Sequence, residues 1–398
     1  MNMNAMHTAA LALLMMAGSV HAGDWDFSGS VGLDTRGFLQ EARFDQQDDG
    51  LHFSLALQPE WRWRSDDRRQ RASIVGFVRA DAKDPERSRF DLREAYWAAE
   101  GDDWDLTLGI NKVFWGVTES RHLVDVINQT DLAEDIDQEE KLGQPMVNLN
   151  LQRDWGRVEL YLLPHFRERT FPGRRGRLRP PLPVDGDNPV YRSSAARNHV
   201  DVAARYSHFL GDVDLGLYLF RGTSREPGFD MRSGGDSLTP VYEQMTQFGI
   251  DFQHTGEAWL WKFEGLVRSA DSGSFAAMVG GFEYTFFGIR DSALDLGVLV
   301  EYLYDGRGDS APPTPFDDDV FVGARVALND ASDSSLLVGA VVDRGSGEAF
   351  FNLEAERRLT DQLSAELRFR GFSNAGPGDA LFPFQRDDYL QLNLSWYF

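Results

Sequence analysis

Residues Tyr389–Phe398 read YLQLNLSWYF. Leu390, Leu392, Leu394, Trp396 and Phe398 fall on one phase, and Gln391, Asn393 and Ser395 on the other. In an extended chain successive side chains point to opposite faces. Strict alternation therefore means a strand with one apolar and one polar face.

The pattern recurs throughout the chain. Phe53, Leu55, Leu57, Trp61 and Trp63 alternate with Ser54, Gln58, Glu60, Arg62 and Arg64. Leu294, Leu296, Val298, Val300, Tyr302 and Tyr304 alternate with Asp295, Glu301 and Asp305. About eighteen such segments of ~10 residues are expected, with sixteen as the alternative count. Their starts fall near 25, 51, 72, 88, 103, 145, 155, 198, 212, 240, 257, 274, 292, 319, 334, 348, 361 and 387. Short polar turns near 66–70, 100–102, 153–154 and 209–211 alternate with long connections at 115–144, 165–197, 222–239 and 373–386. That sorting of loops is the pattern of a transmembrane antiparallel β-barrel, with short periplasmic turns and long outer loops. Trp25, Phe27, Trp61, Trp63, Trp104, Trp259, Trp261, Tyr284, Phe286, Trp396 and Phe398 then gather at the periplasmic ends. Rings with a polar edge sit well at that interface.

Bulk properties agree with this fold class and exclude others. The 398 residues carry a net charge of −23, which argues against nucleic acid. The absence of cysteine removes disulfides and thiolate chemistry. No apolar run reaches the ~18 residues that a spanning helix needs, and barrel strands do not need one. The acidic patches Asp45–Asp49, Asp135–Glu140 and Asp317–Asp319 lack EF-hand spacing and read as solvated loop acids. His199 and His208 show no zinc-type pairing. Ser120 and His122 lack a convincing third group or oxyanion donor, so no enzyme, cofactor or metal is expected.

Ala9–Met16 form the apolar block AALALLMM, followed by small residues up to Ala22. This reads as a signal peptide over residues 1–22, although its start carries no Lys or Arg. Residues 23–398 then form one barrel domain in the outer membrane.

Several strands carry charge on the polar phase. Arg62, Arg64, Arg93, Arg205, Arg268, Arg368 and Arg370 are the expected lumen-wall cations. An arginine facing lipid at mid-bilayer costs ~2–4 kcal/mol, so these side chains should face inward. Sixteen to eighteen strands leave an aqueous channel. The 115–144 stretch carries Leu123, Val124, Val126, Ile127 and Leu132, which need something to pack against. It is expected to fold into the lumen after the fifth strand, with Ser120 capping a short helix. It brings the constriction candidates Glu119, Arg121, Asp125, Asp131, Glu134 and Asp135. The 165–197 loop is rich in arginine among Pro and Gly, which suits phosphate or carboxylate groups.

In position and composition 115–144 resembles the constriction loop of the general porins. That resemblance implies acids on the loop facing arginines on early wall strands. Leu106–Asp131, LTLGINKVFWGVTESRHLVDVINQTD, is similar to a segment of little-characterised porin-like outer-membrane proteins. The terminal Phe398 looks like the assembly signal of outer-membrane barrels. These resemblances imply a channel for small hydrophilic or ionic solutes. The partners would be outer-membrane lipid, lipopolysaccharide and the barrel assembly machinery, and a homo-oligomer is compatible with the fold. A plugged transporter or exporter of a charged substrate is the alternative, with a barrel hydrolase behind it.

Overall fold

A computed structural model describes residues 23–398. The signal peptide expected over residues 1–22 lies outside the described residues. The first strands are β1 (Gly23–Phe38), β2 (Leu51–Ser65), β3 (Gln70–Asp81), β4 (Arg89–Glu100), β5 (Trp104–Asn111), β6 (Gln144–Arg153) and β7 (Gly156–Leu163). There follow β8 (Val190–Tyr191), β9 (Asp201–Leu210), β10 (Val213–Thr223), β11 (Gly228–Met231), β12 (Leu238–Tyr242), β13 (Gln244–Thr255) and β14 (Trp259–Ala270). The last are β15 (Gly273–Phe286), β16 (Asp295–Asp305), β17 (Asp318–Ala327), β18 (Ser335–Asp343), β19 (Ala349–Arg358), β20 (Leu363–Ser373) and β21 (Tyr389–Tyr397). Eighteen of these close into one antiparallel barrel. The short β8, β11 and β12 form a separate three-stranded sheet built from the outer loops, which the alternation did not reveal. None of the eighteen anticipated starts is displaced by more than four residues, the largest offset being 240 against Gln244.

Closure is made by the alternating Tyr389–Phe398 stretch. β21 pairs with β1 from Phe38↔Tyr389 to Ser30↔Tyr397. The Gly29 and Phe398 backbones then exchange two hydrogen bonds of 3.0 Å. The eighteen-stranded sheet is thereby left without an edge, as an apolar medium requires.

Burial is inverted relative to a water-soluble protein. On β2, Leu51, Phe53, Leu55 and Leu57 are exposed, while His52 and Ser54 are buried. On β21, Leu390, Leu392 and Trp396 are exposed, whereas Tyr389 and Gln391 are buried. The apolar phase thus points outward to lipid and the polar phase inward. At the short-turn ends of the strands the rings touch: Phe27 lies 5.1 Å from Trp61 and 5.7 Å from Phe398, and Trp259 lies 4.6 Å from Tyr284. This is a transmembrane barrel of the outer-membrane kind.

Candidate functional site

The connection between β5 and β6 leaves the outer rim and crosses the lumen. Its apolar residues find two walls. Trp115, Val124, Val126 and Ile127 pack with Met146, Tyr161, Tyr218 and Phe220, while Leu123 packs with Leu266, Val279, Leu299 and Phe321. Burying each such side chain contributes ~1.5–3 kcal/mol. The expected short helix does not form. Glu264 of β14 accepts hydrogen bonds from the backbone N–H groups of Val117 (2.7 Å), Thr118 (3.0 Å) and Val124 (3.1 Å). Glu301 of β16 takes those of Glu119 and Ser120, both at 2.8 Å. Wall carboxylates have captured the donors that a helix start would present. Gly116, at φ +152°, permits this approach, because a Cβ there would meet His122 Nδ1 at 3.0 Å and Glu264 Oε1 at 3.2 Å.

The second half of the segment is held by the opposite chemistry. Asp131 meets Arg89 and lies 3.0 Å from Arg93. Glu134 meets Arg79 and is 3.9 Å from Arg87. Asp135 lies 3.1 Å from Arg368 and 3.7 Å from Arg36, and Asp137 lies 3.0 Å from Arg370. Burial would raise the Asp131 carboxyl, but Arg89 and Arg93 outweigh it and hold the group below its ordinary range. Burial and the neighbouring Asp135 push Asp137 upward.

Among the anticipated wall cations, Arg93, Arg368 and Arg370 thus meet the segment directly. Arg205 instead pairs with Asp251 at 2.8 Å, beside the Trp115 ring. Arg268 meets Glu226. Arg62 and Arg64 are not brought to the segment: Arg62 pairs with Glu60 at 2.5 Å, and Arg64 lies in register with Asp24 and Arg71 near the periplasmic turn. Of the loop residues, Glu119 pairs with Arg325 at 2.7 Å, Arg121 with Asp305 at 3.1 Å and Asp125 with Lys141 at 3.2 Å. Ser120 donates to Glu301 at 2.6 Å, while His122 turns to Glu139 at 3.3 Å. The two therefore belong to different carboxylates.

Sequence reasoning missed Arg36, Arg79 and Arg89, all on β1, β3 and β4. Strand phase alone was the available signal. It also missed Arg87, which lies in a one-turn connection where no phase exists. A further miss is Glu226, which Arg268, Arg307, Arg121 and Arg169 hold well below the usual carboxylate range against the opposing effect of burial.

Part of the arginine-rich 165–197 loop is engaged within the protein. Arg177 pairs with Asp387 at 2.6 Å and is buried, as is Arg179, while Arg167 reaches Asp91 at 2.6 Å. Leu178 packs with Phe372 and Tyr389. The loop is stapled over the side of the mouth formed by the chain ends. Asp319, anticipated as solvated, is buried, and its carboxylate lies within 4.8 Å of those of Asp317 and Asp343.

Beside the crossing segment lies a cavity of about 840 Å³. Cross-strand register arranges its wall in rows. From the outer side these are Phe321–Val341–Phe350–Phe372, Gly323–Gly339–Asn352–Arg370, Arg325–Leu337–Glu354–Arg368 and Ala327–Ser335–Glu356–Glu366. The cavity is lined from Val341 to Ser335, so it follows β18 from its outer half to its periplasmic end.

The sequence matches no protein-family model. It matches no curated protein. Solved structures do share the fold. Pseudomonas aeruginosa OpdQ has 12% identity over 95% of this chain and 99% of its own, with a TM-score of 0.54. Acinetobacter baumannii OccAB1 has 8% identity over 94% and 96%, also with 0.54. Escherichia coli Wzi is described as an outer-membrane protein involved in group 1 capsule assembly and a carbohydrate-binding β-barrel. It has 11% identity over 98% and 87%, with 0.52. At these identities the likeness is one of fold: the chain closes into a barrel of the kind these outer-membrane proteins build.

Proposed function

We propose that the protein is a porin-like channel for passive diffusion of small hydrophilic or ionic solutes. The single observation that carries this is the cavity that continues down β18 to its periplasmic end. The crossing segment narrows the lumen to this eccentric conduit instead of filling it. A pocket of this volume accommodates a small organic solute, since ligand sites run ~300–1,000 Å³. The protein would be exported by residues 1–22, and Phe398 would serve the barrel assembly machinery.

One observation favours a second reading, a plugged barrel serving a dedicated transporter of charged substrate. The segment is tied to arcs of wall that include β3–β4, β14–β17 and β20. Reconstitution in planar bilayers separates the two. Discrete ion-conducting steps support the channel, and intact barrels that carry no current support the plug.

A further inference from the structure

The charges along the conduit are unequally satisfied. On its β18–β20 wall the lining acids are Glu354, Glu356 and Glu366. Arg368, in the row of Glu354, and Arg370, one row further out, do not line the cavity: Asp135 and Asp137 engage them from the crossing segment, and on the wall Arg370 also holds Glu354 at 2.6 Å. Arg325 lines the cavity but is taken by Glu119 at 2.7 Å. Glu356 and Glu366 stand directly opposite one another on neighbouring strands, an arrangement that costs stability unless a cation compensates. Arg368 serves only Glu366 of that pair. Glu356 is exposed to the lumen, and among the described residues no ion pair is formed with it. Above these acids, on the outer side, Phe350 lies 5.3 Å from Phe372, which lies 5.7 Å from Phe384, and all three line the cavity. Guanidiniums at the other side of the cavity are mostly held by acids, Arg121, Arg268 and Arg307 by Glu226 and Asp305 and Arg225 by Asp201, while Arg169 donates to Gln129 at 3.2 Å.

We propose that the conduit selects cations, with Glu356 as its selectivity-determining residue beside the arginine-paired Glu354 and Glu366, and with small organic cations with an apolar body as its preferred solutes. This rests on the channel reading. An entering cation passes ring faces that attract it through their quadrupoles. It then meets carboxylates whose field is strengthened by low-dielectric walls and a narrow bore. An anion meets the same surplus as repulsion, while all the lining arginines except Arg169 are paired with acids.

The experiment is a reversal-potential measurement on the full-length protein in planar bilayers under a potassium chloride gradient. Wild type should favour potassium. Glu356→Gln should lower the cation-to-anion permeability ratio by roughly two- to fivefold at low salt, the scale of one unit charge acting at a few ångströms through water. Glu356→Lys should lower it further. Glu356 has no ion-pair partner to lose, so both variants should assemble. Tetraethylammonium should block the potassium current, and Phe350→Ala should weaken that block by roughly threefold. Anion preference in wild type, or an unchanged ratio in conducting Glu356→Lys channels, overturns the inference and leaves the channel standing. Unaltered block in Phe350→Ala removes the organic-cation part. Folded barrels without current overturn the channel reading and this inference together.

Discussion

Asp131 has no exposed surface and lies between Arg89 and Arg93, with the Thr170 hydroxyl donating to its other oxygen at 2.5 Å. Removing one partner of a buried pair costs far more than the pair contributes, because the other charge stays buried. Asp131→Ala should therefore destabilise the docked segment by ~3 kcal/mol, the low end of the ~3–5 kcal/mol range for such a loss. The low end applies because Glu134 remains 3.6 Å from Arg89 and Asp91 3.7 Å from Arg93. The temperature at which the folded electrophoretic band converts to the unfolded one should fall. An unchanged conversion would show that these contacts do not anchor the segment. His122 tests the other half. Burial alone would lower its pKa, but the hydrogen bonds and charges of Glu139 and Glu264 push it up to about 10. The charged imidazole therefore contributes stability fully below about pH 6.5, its ordinary value. That contribution declines above this pH and is lost as pH rises through about 10. Channel recordings between pH 7 and 11 should show growing open-state noise in wild type that His122→Gln, already lacking the charge, does not add to. Parallel behaviour of the two proteins would remove His122 from the anchor.

At the scale of the element, the crossing segment has two kinds of attachment, apolar packing and charge, and deletion removes both. Excising residues 123–137 takes away Val124 and Ile127, each with no exposed surface, and the acids at 131, 134, 135 and 137. The strand ladder does not depend on them, so the barrel should still form and single-channel conductance should rise severalfold. Equal conductance in a folded deletion variant would place the narrowest point elsewhere. The inward fold of this segment was legible because its apolar residues could not be left in water. Its form was not. Ser120 reads as a helix cap by local rules, yet Glu264 and Glu301 lie 140 and more positions away and take the backbone donors first. A pairing across a lumen leaves no local trace. The same limit explains Arg62 and Arg64: their phase is visible, but their depth along β2, close to the periplasmic turn, depends on where the segment crosses. The 165–197 arginines likewise read as suited to an external phosphate or carboxylate, until Asp387 and Asp91, distant in the chain, are folded against Arg177 and Arg167.

For the whole molecule, alternation and loop sorting together imply the architecture, since a one-residue slip would turn every lipid-facing side chain inward. The contact of Phe398 with Phe27, across the β1–β21 seam, ties the end of the chain to closure. Replacing Phe398 with a charged residue should lower the amount of inserted barrel at normal expression, measured by folded-band yield. An undiminished yield would withdraw its assembly role. Orientation is the last global property, and two glycines report it. Gly186 lies in the long β7–β9 connection and Gly211 in the tight β9–β10 turn, and an added side chain at either meets nothing within 4 Å. Inserted epitopes should therefore be tolerated at both sites. Gly211 has φ +66°, so a tag there must preserve the glycine and follow it. With long loops outside and short turns in the periplasm, an antibody should label intact cells carrying the tag at Gly186 and not those carrying it at Gly211. Permeabilising the outer membrane should make both accessible, which controls for a hidden tag. Labelling at Gly211 in sealed cells would invert the barrel. The Phe350–Phe372 row would then face the periplasm and the Glu356–Glu366 row the outside.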